Sequence, residues 1–318
     1  LDDLSAPQPV SPEVLGEAWR PPPPTLPQPE TPQRWGLHLA LLAATFVTAA
    51  LAGSWFWEGT FTGSFANPEN YAPARIAAGL PYAFLLLTIL MAHEMGHYLA
   101  CRRYGVPATL PFFLPGIPLF IGTFGAVIRI RGIVPSRRAL FDIAAAGPVA
   151  GFVVAFPVLV AGVLRAAEVP ATADLHGMQL GSPLISLVFE RAFHGANEIQ
   201  VNGVFGAAWV GLLVTSMNLF PVGQLDGGHA VFAISPRAHR VLSWATIAAV
   251  AVLVAGQTLV ERAVSAYTLW LGILLFLRSR HPRLAGEGES LGPARIVIAV
   301  LLLAMFLLCF IPVPLSLT

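Results

Sequence analysis

Two histidines stand four residues apart in the apolar stretch LLLTILMAHEMGHYLA, with a glutamate directly after the first: His93, Glu94 and His97 spell H-E-x-x-H. On an α-helix, residues i and i+4 share a face. Both imidazoles can therefore bind one Zn²⁺ ion, with Glu94 beside it as a general base. The setting sharpens the reading. An ionisable side chain at the centre of a membrane helix costs roughly 2.5 to 3.5 kcal/mol on insertion scales, so three within five positions need a compensating partner. The plainer alternative places the three groups at the polar end of the helix, paired with one another or with water. A hydrolytic zinc site takes three protein ligands and a water, and two residues compete for the third place. Asp226, in MNLFPVGQLDGGHA, lies 129 residues after His97, so only tertiary packing could join them. It reads equally well as the N-cap of a following helix, since Asp before Gly-Gly suits that position. Cys101 lies one further turn along the same face as His97. Buried cysteines are more often simple packing, and three ligands on one helix would place the ion awkwardly.

The elements that must position these residues belong to a membrane. Of 318 residues, 56% are hydrophobic and 11% charged, with a mean hydropathy of +0.71, far above ordinary soluble domains. Apolar segments run over about 37–57, 81–101, 139–164, 204–220, 241–260, 264–277 and 294–311. They predict an all-α polytopic membrane protein with six or seven transmembrane helices, the sixth segment being short. The net charge of +1 gives no support to a nucleic-acid surface. All 18 basic residues are arginine, and a lysine-free chain rich in Ala, Gly, Pro and Arg points to a GC-rich bacterial genome. The two cysteines, Cys101 and Cys309, sit in separate apolar segments and offer neither a disulfide framework nor a Cys-based zinc finger.

Residues 1–34 contain ten prolines and are expected to form a disordered tail, partly polyproline-II. They lack the basic-then-apolar order of a secretory signal, and 35–318 form the membrane domain. With the N-terminus in the cytoplasm, seven helices place fourteen arginines inside and leave only Arg75, Arg165, Arg191 and Arg262 outside. Between the second and third segments, Pro107, Pro111, Pro115 and Pro118 with Gly116, Gly122, Gly125 and Gly132 exclude a helix over 105–136. Partial alternation over Phe124–Arg131 predicts a small membrane-associated β-hairpin or re-entrant loop there. Ser182–Phe193 can form a surface helix, and Asp142 suits the positive end of the third core helix and its flanking arginines.

AHEMGH at 92–97, together with Asn218, Pro221, Leu225, Asp226, Gly227 and Gly228 in an N-x-x-P-x-x-x-L-D-G-G pattern, resembles the site-2 protease family of intramembrane zinc metalloproteases. AAAGPVAG at 144–151 is similar to that family's Gly-Pro motif. The resemblance covers roughly 80–235, a three-helix catalytic core. It implies one Zn²⁺ per chain held by His93, His97 and Asp226, water activated by Glu94, and assistance from Asn218 near the reacting carbonyl. It further implies a transmembrane protein substrate, surrounding membrane lipid, and that the strand-like segment lies beside the cleft; the partial alternation over 124–131 leads to the expectation that an unwound substrate pairs with its edge. The sequence shows no PDZ-sized insertion between the core helices and no residues after the last helix that read as a nucleotide-sensing domain, a departure from the family pattern that speaks against an expectation of regulation by such modules. His229, three residues after Asp226, is close enough to support the site but reads first as a polar residue at the membrane boundary. Two other classes compete. A catalytically silent metal-binding scaffold would have no use for Glu94, and an ion transporter predicts inverted repeats that the sequence lacks. The oligomeric state is left open.

Overall fold

The computed structural model describes residues 33–169, 178–195, 197–261, 265, 267–278 and 290–317. All but the last two residues of the Pro-rich segment, and Arg262, Arg280 and Arg283 of the charge asymmetry, lie outside them. Each of the seven apolar segments is mostly helical over its described residues. Among the described residues four helical stretches are long and apolar enough to cross a membrane: Trp35–Trp57, Leu80–Arg103, Arg137–Leu164 and Pro236–Leu259. The first is α1 (Trp35–Ala52), continued by a π-helical turn, Gly53–Trp57. A short helix, α2 (Pro73–Ala78), leads into α3 (Leu80–Arg103). After α4 (Arg137–Leu164) comes α5 (Leu184–His194), the surface helix expected near 182–193. Then follow α6 (Gly203–Asn218), α7 (Asp226–Ile234), α8 (Pro236–Glu261), α9 (Tyr267–Leu277) and α10 (Pro293–Cys309).

The core is α3, α4 and α6. A helix apolar on every side has to be buried on every side. α6 meets that condition, with twelve of its sixteen residues buried. α3 and α4 approach closely because small residues face each other. A Cβ on Gly96 would lie 2.4 Å from the Ala146 carbonyl oxygen, so the crossing distance itself requires glycine. By contrast α8 and α10 present bare apolar side chains, among them Val252, Leu259, Val300 and Leu303, as lipid-facing helices do.

One end of the bundle is tied by charge. The Arg295 guanidinium at the start of α10 donates to both Asp142 oxygens, Nε to Oδ1 at 2.7 Å and Nη2 to Oδ2 at 2.6 Å, and Tyr104 after α3 also donates to Asp142. Asp142 is therefore bound by a distant arginine rather than by those flanking it in sequence. Arg138 of α4 donates to the Ser290 carbonyl at the same end. The opposite end is closed by Glu58, which accepts from Gly203 N–H at 2.8 Å at the start of α6.

Between α3 and α4 the chain forms a hairpin: β1 (Phe112–Pro115) pairs antiparallel with β2 (Thr123–Val127). Regular pairing is shorter than the 124–131 alternation suggested. Beyond Val127 the contact passes to residues 107–109, through an Ala108–Ile130 bridge flanked by Thr109 N–H to Arg129 O at 3.1 Å and Arg131 N–H to Pro107 O at 2.8 Å. Irregular backbone among apolar helices needs protein donors for its carbonyls. They come from three neighbours: Trp57 Nε1–H to Phe120 O at 3.0 Å, Tyr82 O–H to Ile121 O at 2.9 Å, and Thr48 O–H to Gly122 O at 2.6 Å. Among the described residues two further pairings, β3 (Ala167–Val169) with β5 (Glu198–Gln200) and β4 (Met178–Leu180) with β6 (Leu315–Leu317), are each three residues long, too short for an alternation to be legible in the sequence.

Candidate metal centre

α3 carries His93 and His97 on the face turned toward α4 and α6, and all three groups of the motif are buried: His93 is 3% exposed, His97 7% and Glu94 8%. They are not a solvated helix end. His97 Nδ1 lies 2.7 Å from the Ile143 carbonyl, which can only accept, so this nitrogen carries the proton and Nε2 presents its lone pair.

Asp226 completes the group from the far side. α6 ends at Asn218, the chain turns through 219–225, and α7 begins at Asp226. The N-cap is Leu225, and no side chain caps the helix, so the capping role considered for Asp226 is not the one it takes. The two glycines after it allow the turn to close. A Cβ on Gly227 would meet the Leu219 oxygen at 2.0 Å, and one on Gly228 the Gly223 oxygen at 2.5 Å. Folded back in this way, Asp226 Oδ2 lies 3.2 Å from His93 Nε2 and 3.3 Å from His97 Nε2, and the two nitrogens are 3.2 Å apart.

This near-equilateral triangle is the test of whether a metal fits. Ligand atoms at about 2.0 to 2.2 Å from a tetrahedral ion lie about 3.3 Å from one another, and these do. At least two electron-rich atoms, the His97 lone pair and a carboxylate oxygen, are pressed together in a buried place, an arrangement that a cation between them relieves. Among the described residues, His93, His97 and Asp226 form the group able to hold an ion; Cys101, the rival ligand, is buried in the apolar core outside it. Asn218 Nδ2 is 3.3 Å from His93 Nε2. A cavity of about 640 Å³ opens on the group, walled by the 126–134 stretch and by α4, with Glu94, Asn218 and His229 in its lining. Ile128 lines the same cavity as Glu94.

Gly147 was noticed in sequence only as part of a motif; its physical role is in the packing. A Cβ there would lie 2.1 Å from His97 Nε2, and the ring cannot retreat without breaking its bond to Ile143. Gly147→Ala is expected to weaken zinc binding by roughly 10- to 100-fold in protein that still folds, read by elemental analysis after dialysis. Unchanged zinc would show that the ring has room the structure does not give it.

The fold and site define a polytopic membrane protein with a buried group of two histidines and one aspartate, able to hold a metal ion, beside a glutamate. Residues 81–260 match the model of peptidase family M50, and the chain belongs to that family. It is 36% identical over 187 residues to the protein named "Probable zinc metalloprotease EGY1, chloroplastic" of Oryza sativa subsp. japonica, covering 56% of this chain and 32% of that one. To "Probable zinc metalloprotease EGY2, chloroplastic" it is 32% identical over 247 residues in Arabidopsis thaliana (76% and 43% covered) and 31% over 296 residues in Oryza sativa subsp. indica (90% and 52%). The chain thus spans about a third to a half of the length of these curated relatives. Zinc is the metal that the family and these relatives call for, and the donor set fits it.

Proposed function

We propose that this protein is an intramembrane zinc endopeptidase that hydrolyses peptide bonds in or near transmembrane segments of membrane-protein substrates. The observation that carries the reading is the buried His93–His97–Asp226 triangle opening, with Glu94, onto a cavity edged by extended backbone. In this reading 80–235 is the catalytic core of a membrane domain spanning 35–318. The charge asymmetry of the arginines supports seven spans with the N-terminus and the site on the cytoplasmic side, and the lysine-free composition rich in Ala, Gly, Pro and Arg is the ground for reading the membrane as a bacterial one.

His93, His97 and Asp226 would hold the zinc. Bound there, zinc lowers the pKa of a coordinated water towards about 7 and polarises the scissile carbonyl. Glu94 takes the proton from the attacking water and delivers it to the leaving amine. Asn218, its amide already directed at the same centre, is placed to donate to the carbonyl oxygen of the bond being cut. The lipid-shielded cavity keeps bulk water from weakening these interactions.

A helical substrate shields its own amides and has to unwind. Around Ile130 the hydrogen bonds to 107–109 are made by the carbonyl of Arg129 and the N–H of Arg131, so the N–H and C=O of Ile130 point to the other edge, which lines the cavity. An unwound segment pairing with this edge keeps its backbone satisfied while one bond is presented to the zinc. Ile130→Pro removes that N–H and leaves the hairpin bonds in place. Cleavage of a single-span substrate by reconstituted protein is expected to fall at least roughly tenfold with zinc content unchanged; full cleavage would exclude pairing at this edge.

The one observation touching the scaffold alternative is Glu94 itself. A purely structural zinc has no use for a buried carboxylate in the same cavity that is not one of its ligands.

A further inference from the structure

We propose that Arg240 and Arg278 hold the phosphate of an anionic phospholipid head group, in a basic pocket behind the loop that leads to Asp226. The pocket, about 310 Å³, lies between the first turns of α8 and the end of α9, and its polar lining is His239, Arg240, Ser243 and Arg278 beside Trp244. The Arg278 guanidinium lies over the Trp244 ring, 4.1 Å from its centroid. That contact fixes its direction yet uses none of its N–H groups. Among the described residues, neither Arg240 nor Arg278 has a carboxylate partner or a side-chain hydrogen bond. Two unspent planar forks converging on one pocket match the oxygens of a phosphate.

The surroundings favour a lipid as the source of that phosphate. α8 is the barest of the four long apolar helical stretches, with 17% of its apolar window buried against 39% to 44% in the others. Val241, Trp244, Ala248, Val252 and Leu259 follow one another at helical spacing along its exposed side, a ridge for acyl chains leading away from the arginines. Trp244 lies within three turns of the start of the Pro236–Leu259 stretch, and basic pockets between membrane helices are a recurrent setting for phospholipid head groups.

The same two elements grip the loop before Asp226. Ser243 Oγ–H donates to the Pro221 carbonyl at 2.9 Å and lies 3.2 Å from His239 Nε2. Gly223, at φ +53°, passes so near the end of α9 that a Cβ would meet the Leu277 oxygen at 2.1 Å. A head group bridging Arg240 and Arg278 therefore draws together the two supports of residues 219–225, and the bound state should be more resistant to unfolding.

The test uses the full chain in neutral detergent, stripped of lipid and titrated with short-chain phosphatidylglycerol, short-chain phosphatidylcholine or inorganic phosphate. Binding is followed by native mass spectrometry and by the thermal midpoint. The wild type is expected to take up phosphatidylglycerol in preference to phosphatidylcholine and to melt higher with it. Arg240→Gln combined with Arg278→Gln should weaken that binding at least roughly tenfold, while Arg102→Gln with Arg103→Gln, removing exposed arginines from the end of α3, leaves it unchanged. Equal losses in both pairs would mean diffuse surface charge and overturn the proposal, as would no loss in either. A shift reproduced in full by inorganic phosphate would overturn the lipid assignment. Should the double variant not fold, Arg240→Glu alters an exposed side chain alone and must abolish the preference for phosphatidylglycerol.

Discussion

Glu94→Gln is expected to reduce cleavage by roughly 10³-fold, within the span of a lost general base, while the purified protein still holds about one zinc per chain. Glutamine keeps the volume and polarity of the buried side chain, which is 8% exposed in the wild type. It cannot take a proton from water. The three ligand atoms lie on other residues, so metal content should not follow activity. The measurement pairs zinc analysis with cleavage of any single-span substrate that the wild type cuts. Full activity in the variant would reject Glu94 as the base. Loss of zinc together with activity would make its role structural.

Asp226→Ala should remove most of the zinc, weakening binding by more than about 100-fold, beyond what outer-shell changes cost. The reason is positional. His93 and His97 lie one turn apart on α3, and without the carboxylate from α7 they form only one side of the triangle. An ion that binds the folded protein stabilises it by RT ln(1 + [ion]/Kd). Chelation should therefore lower the thermal midpoint of the wild type and leave that of Asp226→Ala nearly where it was. A variant that keeps its zinc and its response to chelator would place the third ligand elsewhere, with His229, in the same cavity lining, the first to try.

Parts of this arrangement were legible early because they are local. Four-residue spacing on a helix determines that His93 and His97 share a face, and long apolar runs without charge give the membrane helices. The proline and glycine punctuation of 105–136 ruled out a helix there and pointed to the hairpin. Other parts were hidden because their cause is remote. That Asp142 would bind Arg295, 153 residues away, rather than its neighbours Arg137 and Arg138 depends on where α10 packs. That carbonyls 120–122 would be satisfied by Trp57, Tyr82 and Thr48 depends on how the loop is threaded between α1 and α3.

The sequence by itself determined the membrane class of the protein, the histidine pair with its glutamate, and the short list of third ligands, since each follows from composition or helical periodicity. Only the tertiary structure decided between Asp226 as cap and Asp226 beside the histidines, and only it left Cys101 in the apolar core. Helix propensity acts within a few residues. The meeting of the histidines of α3 with Asp226 of α7 rests on close approaches of Gly96 to the α4 backbone, of Gly147 to the His97 ring, and of Gly227 and Gly228 to the 219–223 backbone, and a distance of closest approach is a property of two surfaces that no single segment contains.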